Sequence, residues 1–102
     1  MKFSVIICTC NRQEKVMELI QQINSLNMGN IELILIDSSD EENQNIRAIE
    51  SINYKRTKHK NQPYQRFLGY NLSSSDWLLY LDDDMEIIHD NLFEKLEKYI
   101  KE

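Results

Sequence analysis

Four short apolar runs, 3–8, 31–36, 52–57 and 77–81, alternate along this chain with stretches of helical period. The first two are apolar at successive positions, as in a strand covered on both faces. Trp77-Leu78-Leu79-Tyr80-Leu81 reads the same way, with Trp77 and Tyr80 as core residues. The run from Ile52 to Thr57 is more polar and belongs nearer an edge. Strands alternating with helices of this length pair in parallel through right-handed crossovers. The expected fold class is α/β: a mostly parallel sheet with flanking helices, in a single domain over residues 1–102.

The intervening stretches carry their own signals. Asn11, with Glu14 three residues on, has the spacing of an N-cap and its acidic partner. The helix it predicts runs to about Leu26, with Val16, Leu19, Ile20, Ile23 and Leu26 on one face. Asn27, Gly29 and Asn30 close it. A short helix with Ile46 and Ile49 follows the polar stretch 37–42. Pro63 starts another, with Tyr64, Phe67, Leu68, Asn71 and Leu72 expected inward, and Ser73-Ser74-Ser75 ends it. Asp90 caps a last helix with Leu92, Phe93, Leu96, Tyr99 and Ile100 inward.

In this topology the loops after the first, second and fourth strands share one edge of the sheet, where ligands bind in open α/β folds. That brings Thr9–Arg12, Asp37–Asp40 and Asp82–Asp84 together. In a strand-like tip Asp82 and Asp84 point to one side and Asp83 to the other. The first and third backbones lie about 6.6 Å apart, so their carboxylates converge on one ion. Acids crowded against an apolar strand repel, and a hard divalent cation satisfies them. A solvated acidic turn, or a cap for the following helix, is the plainer alternative.

A local reversal of charge points the same way. The chain carries a net charge of −5, which argues against a broad nucleic-acid face. Yet from Lys55 to Arg66 there are Lys55, Arg56, Lys58, His59, Lys60 and Arg66, and no acid. Cations beside a carboxylate-held metal suit a diphosphate, although a solvated basic loop has the same composition. Cys8 and Cys10 are poorly spaced for a disulfide and lack a second pair for zinc, so they read as packing residues in a reducing compartment. His59 and His89 read as exposed loop residues. With no membrane span and no signal-peptide pattern, the expected localisation is cytoplasmic.

Taken together, Val5–Arg12, Ile36–Asp40, the Arg66/Gly69 pair and Trp77–Asp84 resemble the nucleotide-binding half of family 2 glycosyltransferases, whose fold is the Rossmann-like GT-A type. The resemblance covers essentially the whole chain, and four motifs in order at compatible spacing carry it. It implies a nucleoside-diphosphate sugar as partner, a UDP-sugar foremost, with no nucleic acid. Thr9, Cys10, Asn11 and Arg12 would line the nucleotide base. Asp37 and Ser39 would meet base or ribose, and Arg66 base or diphosphate. Asp82 and Asp84 would hold Mn²⁺ or Mg²⁺, with Asp82 and Asp83 beside the ribose.

Cys10 stands where the family commonly has an aromatic residue, and Phe67 where it has Asn. No residue is assigned as catalytic base, so the expectation is the donor-binding part of a longer enzyme, or a short homologue needing a partner, inactive alone. Peripheral membrane association stays open for that enzyme. Two other readings match the residues less fully. One is a haloacid-dehalogenase-type phosphatase with Asp82 as nucleophile and Mg²⁺ as cofactor. The other is a non-catalytic binding module.

Overall fold

The computed structural model describes residues 3–25 and 31–84. Its elements run β1 (Phe3–Thr9), α1 (Gln13–Ser25), β2 (Ile31–Asp37), α2 (Gln44–Arg47), β3 (Ile52–Arg56), α3 (Gln62–Leu72) and β4 (Trp77–Asp82). The strands form one sheet in the order β3-β2-β1-β4, and every pairing is parallel. The α/β expectation holds. The helix expected after Asp90, His89, and the 26–30 turn lie outside the described residues.

From β1 the chain steps outward to β2 and β3, then returns to the other side of β1 for β4. Right-handed crossovers on a reversed order put the helices on opposite faces, and the two cores show this. Val5, Ile7, Leu33, Leu35 and Leu81 pack with Val16, Leu19, Ile20 and Ile23 of α1 and Ile46 of α2. Ile6, Cys8, Ile34 and Ile36 pack instead with Leu68 and Leu72 of α3. The strand order reverses between β1 and β4, and such a switch point opens a crevice beyond the carboxyl ends of the strands.

Three expectations change. The inward face of α3 is Gln65, Leu68, Gly69 and Leu72, while Tyr64 and Phe67 are exposed and Asn71 faces out with them. Gly69 sets that rotation: a Cβ there would lie 2.4 Å from Ile6 Cγ2, so only glycine lets the helix sit this close to β1. β4 is covered less than an interior strand, and Trp77 and Tyr80 are exposed rather than core, because β4 is the outermost strand among the described residues. Arg12, not Asn11, occupies the N-cap position of α1, its carbonyl accepting the Val16 N–H at 3.0 Å. Asn11 has φ 54°, a left-handed turn that asparagine tolerates.

The other helices start as the residues dictate. Asn43 caps α2 by accepting the Ile46 N–H, and Asn61 caps α3 by accepting the Tyr64 N–H, with Pro63 in its first turn. At the amino end of the sheet, Glu32 on β2 accepts the Ser4 hydroxyl at 2.9 Å, the Ser74 N–H at 3.0 Å and the Ser74 hydroxyl at 2.6 Å. This ties the segment leading into β4 back to β2. Among the described residues no helix is long and apolar enough to cross a membrane.

Candidate functional site

Four loops meet at the carboxyl rim. Ser38 after β2 donates its N–H to the Thr9 carbonyl at 3.0 Å, closing the β1 and β2 loops on each other. The inverted backbone of Asn11 turns its N–H to Ser39 Oγ at 2.7 Å. Its side chain accepts the Asp40 N–H at 3.0 Å and donates to the Asp40 carboxylate at 3.4 Å. Lys60, from the loop before α3, donates to the same carboxylate at 2.6 Å. That ion pair holds the Asp40 carboxyl below its usual pKa and pulls Lys60 above its own.

Below the rim lies Gln65, whose part was not anticipated. Its amide donates to the Thr9 carbonyl at 3.2 Å and to the Ile36 carbonyl at 3.0 Å, capping two strand ends from beneath. The Thr9 carbonyl also accepts the Ser38 N–H, so Gln65 adds a second donor there and bonds Ile36 near the end of β2. The signal was present in the sequence: Gln65 lies one helical turn before Gly69 and so shares its inward face.

β4 ends at Asp82, and Asp83 and Asp84 form a turn, so the strand-like alternation expected through the acidic tip stops there. Asp82 pairs in register with Cys8 on the α3 face. There Arg66 Nη2 is 4.0 Å from its carboxylate, and the same guanidinium stands 5.7 Å over the Tyr80 ring. Asp83 turns to the other face and is buried. It accepts the Thr9 hydroxyl at 2.8 Å and Arg12 Nη1 at 3.2 Å. Asp84 is exposed, 3.5 Å from the same Arg12 nitrogen. Thr9 and Arg12 thus meet Asp83, Arg12 reaches Asp84 as well, and Arg66 stands beside Asp82.

Asp37 and Ser39 take part from the second loop. Asp37 is only 1% exposed; its carboxylate accepts the Ser39 N–H at 2.9 Å and the Tyr54 hydroxyl. Tyr54 in turn accepts the Asn43 N–H at 3.0 Å. Desolvation first, then the hydrogen bond to Asp37, raises the Tyr54 pKa above its usual value. Within the basic segment, Arg56 donates to the Ser39 carbonyl at 2.6 Å. The ring of His59 leans on Tyr64 with centroids 4.7 Å apart.

These contacts leave two neighbouring cavities. One of about 260 Å³ is lined by Thr9, Cys10, Arg12, Gln65 and Asp83; the other, of about 490 Å³, by Arg56, Lys58 and Asp40. Ser38 and Lys60 line both. Cys10 is partly exposed at the first, whereas burial pushes the Cys8 thiol up to about 11.

Among the described residues no three His, Cys, Asp or Glu side chains form a closed metal cage. Asp82 and Asp84 are nevertheless solvent-facing hard-oxygen donors. They fit an ion such as Mg²⁺ that takes one or two carboxylates and fills its shell with water and phosphate oxygens.

Residues 4–102 match the sequence profile described as Glycosyl transferase family 2. A Haemophilus influenzae protein described as an uncharacterized glycosyltransferase is 30% identical over 86 residues, 79% of this chain and 29% of its own length. The crystal structure of S. aureus TarS 1–349 superposes with a TM-score of 0.83 at 19% identity, covering 99% of this chain and 32% of TarS 1–349. The complex of the same TarS fragment with UDP-GlcNAc gives 0.72 at 20% identity, covering 99% and 31%. The chain therefore spans about a third of the length of these relatives.

Proposed function

Because the chain belongs to glycosyl transferase family 2, we propose that its carboxyl rim binds a nucleoside-diphosphate sugar for transfer, with a divalent cation, Mn²⁺ or Mg²⁺, on Asp82 and Asp84. Family membership sets aside the phosphatase alternative. One observation carries the reading: at the β1/β4 switch point, Asp83 joins Thr9 and Arg12 while Asp82 and Asp84 stay at the surface. TarS bound to UDP-GlcNAc and to UDP supports a UDP-sugar as the donor.

In this reading Thr9, Cys10 and Arg12 line the nucleotide along the 260 Å³ cavity, and Asn11 completes their loop. Asp37 acts through the loop it holds, since its oxygens are engaged by Tyr54 and the Ser39 N–H. Arg66 stands beside Asp82 to meet the diphosphate. When bound, the cation supplies neutralisation of the charge that the departing diphosphate gathers. Acceptor binding and transfer are proposed for a whole protein of the relatives' length.

The test is calorimetry of UDP with and without Mn²⁺. Asp82→Asn with Asp84→Asn should abolish the Mn²⁺-dependent part of binding while the circular dichroism spectrum stays native. Unchanged UDP affinity in that double variant would overturn the assignment.

A further inference from the structure

Arg12 pairs with Asp84, one of the two acids proposed to hold the cation. Its Nη1 is 3.2 Å from Asp83 Oδ1 and 3.5 Å from Asp84 Oδ2, so one guanidinium nitrogen bridges both acids. The two contacts differ in kind. The Asp83 side chain is 9% exposed and shares its carboxylate with the Thr9 hydroxyl, whereas Asp84 is 57% exposed and Arg12 54%. The inner contact is shielded and geometrically fixed; the outer one is a solvated ion pair that contributes little and exchanges readily.

We propose that Arg12 is the resident counter-ion of the acidic tip. Binding of a divalent cation displaces it from Asp84, and it turns, still anchored on Asp83, to the diphosphate of the donor. The inference rests on the donor and cation site proposed above. A guanidinium and a divalent ion on one solvated carboxylate repel each other, so an ion on Asp84 weakens the Arg12 contact there. Arginine is suited to the exchange. Both acid contacts run through one terminal nitrogen, and the planar fork keeps a second edge for a phosphate. Arg12 also lines the 260 Å³ cavity, so a small rotation carries that edge to bound ligand. The device makes cation and nucleotide bind together: the ion releases the arginine, and the phosphates receive both.

The experiment compares Arg12→Met with the wild-type 102-residue chain. Mn²⁺ binding is measured without nucleotide, and UDP binding at saturating Mn²⁺. Arg12→Met should tighten Mn²⁺ about fivefold, the scale of a surface ion pair removed, and weaken UDP by a similar factor. The opposite signs matter, because a disrupted fold weakens both. Lys15→Met, which removes the same charge one turn along α1 without touching the acids, should move Mn²⁺ affinity less. If Arg12→Met fails to fold because Asp83 is left with less compensation, Arg12→Met with Asp83→Asn keeps the comparison. Unchanged or weaker Mn²⁺ binding in the folded variant overturns the exchange, as does unchanged UDP affinity. If the Asp82/Asp84 double variant still loses Mn²⁺-dependent UDP binding in that case, the donor reading survives alone. Absence of Mn²⁺ binding in every protein removes both.

Discussion

Asp83 accepts the Thr9 hydroxyl at 2.8 Å, although 74 positions separate the two residues. The bond joins β1 to the acidic tip across the switch point and satisfies a buried carboxylate. Thr9→Val keeps the shape and removes the donor, so it should cost about 1–3 kcal/mol, the penalty for a buried acceptor left short of a partner. Thr9→Ser should recover most of it. Urea unfolding of the two variants is the measurement, and equal stability of Val and wild type would show the bond to be incidental.

Gln65 should be as sensitive. Gln65→Leu fills similar space and withdraws the Gln65 amide from the Ile36 carbonyl and from the Thr9 carbonyl, which keeps the Ser38 N–H. We expect a loss of roughly 1–3 kcal/mol in stability together with weaker UDP binding, since the loop proposed to line the nucleotide rests on that bond. Calorimetry and denaturation on one sample check both; weakened stability with unchanged UDP affinity would confine Gln65 to the fold.

The Tyr54–Asp37 bond predicts an alkaline weakness. The Tyr54 pKa is raised by desolvation and by that bond, so folding favours the protonated phenol. Its contribution is complete below the unfolded value near 10 and is lost as pH rises through the higher folded value. Tyr54→Phe should lower stability at neutral pH and flatten the loss above about pH 10. Denaturation midpoints of both proteins from pH 7 to 11 decide it, and parallel curves would count against the assignment.

The two thiols should react in sequence. Cys8 is buried with its pKa at about 11, whereas Cys10 is partly exposed at the smaller cavity. N-ethylmaleimide should add once to the native chain, at Cys10, and a second time only in urea. UDP with Mn²⁺ should slow the first addition. Labelling at an undiminished rate would place the nucleotide elsewhere.

The sequence disclosed what depends on period and order. Continuous apolar runs between helical stretches dictated a parallel sheet, and parallel strands necessarily deliver their outgoing loops to one rim. What escaped it depends on close approach. Tyr64 and Phe67 are apolar and read as inward, but the close Gly69–Ile6 approach sets the rotation of α3 and buries Gln65 instead, where its amide bonds the Thr9 and Ile36 carbonyls. Asn11 has the residue type and spacing of a cap, yet the left-handed turn commits it to the neighbouring loop. Tyr54 gave no signal, because its partner Asp37 lies on another strand.

β4 is fastened at both ends, by Glu32 holding Ser74 ahead of it and by Thr9 holding Asp83 behind it. The pleat gives that fastening a chemical meaning. Were β4 to slide by one residue against β1, every side chain would change faces. Asp83 would swing out to solvent, and an acid now at the surface would be drawn under the α1 side of the sheet. Which carboxylate braces the frame and which stay at the surface is therefore set by alignment, between three neighbours of identical chemistry.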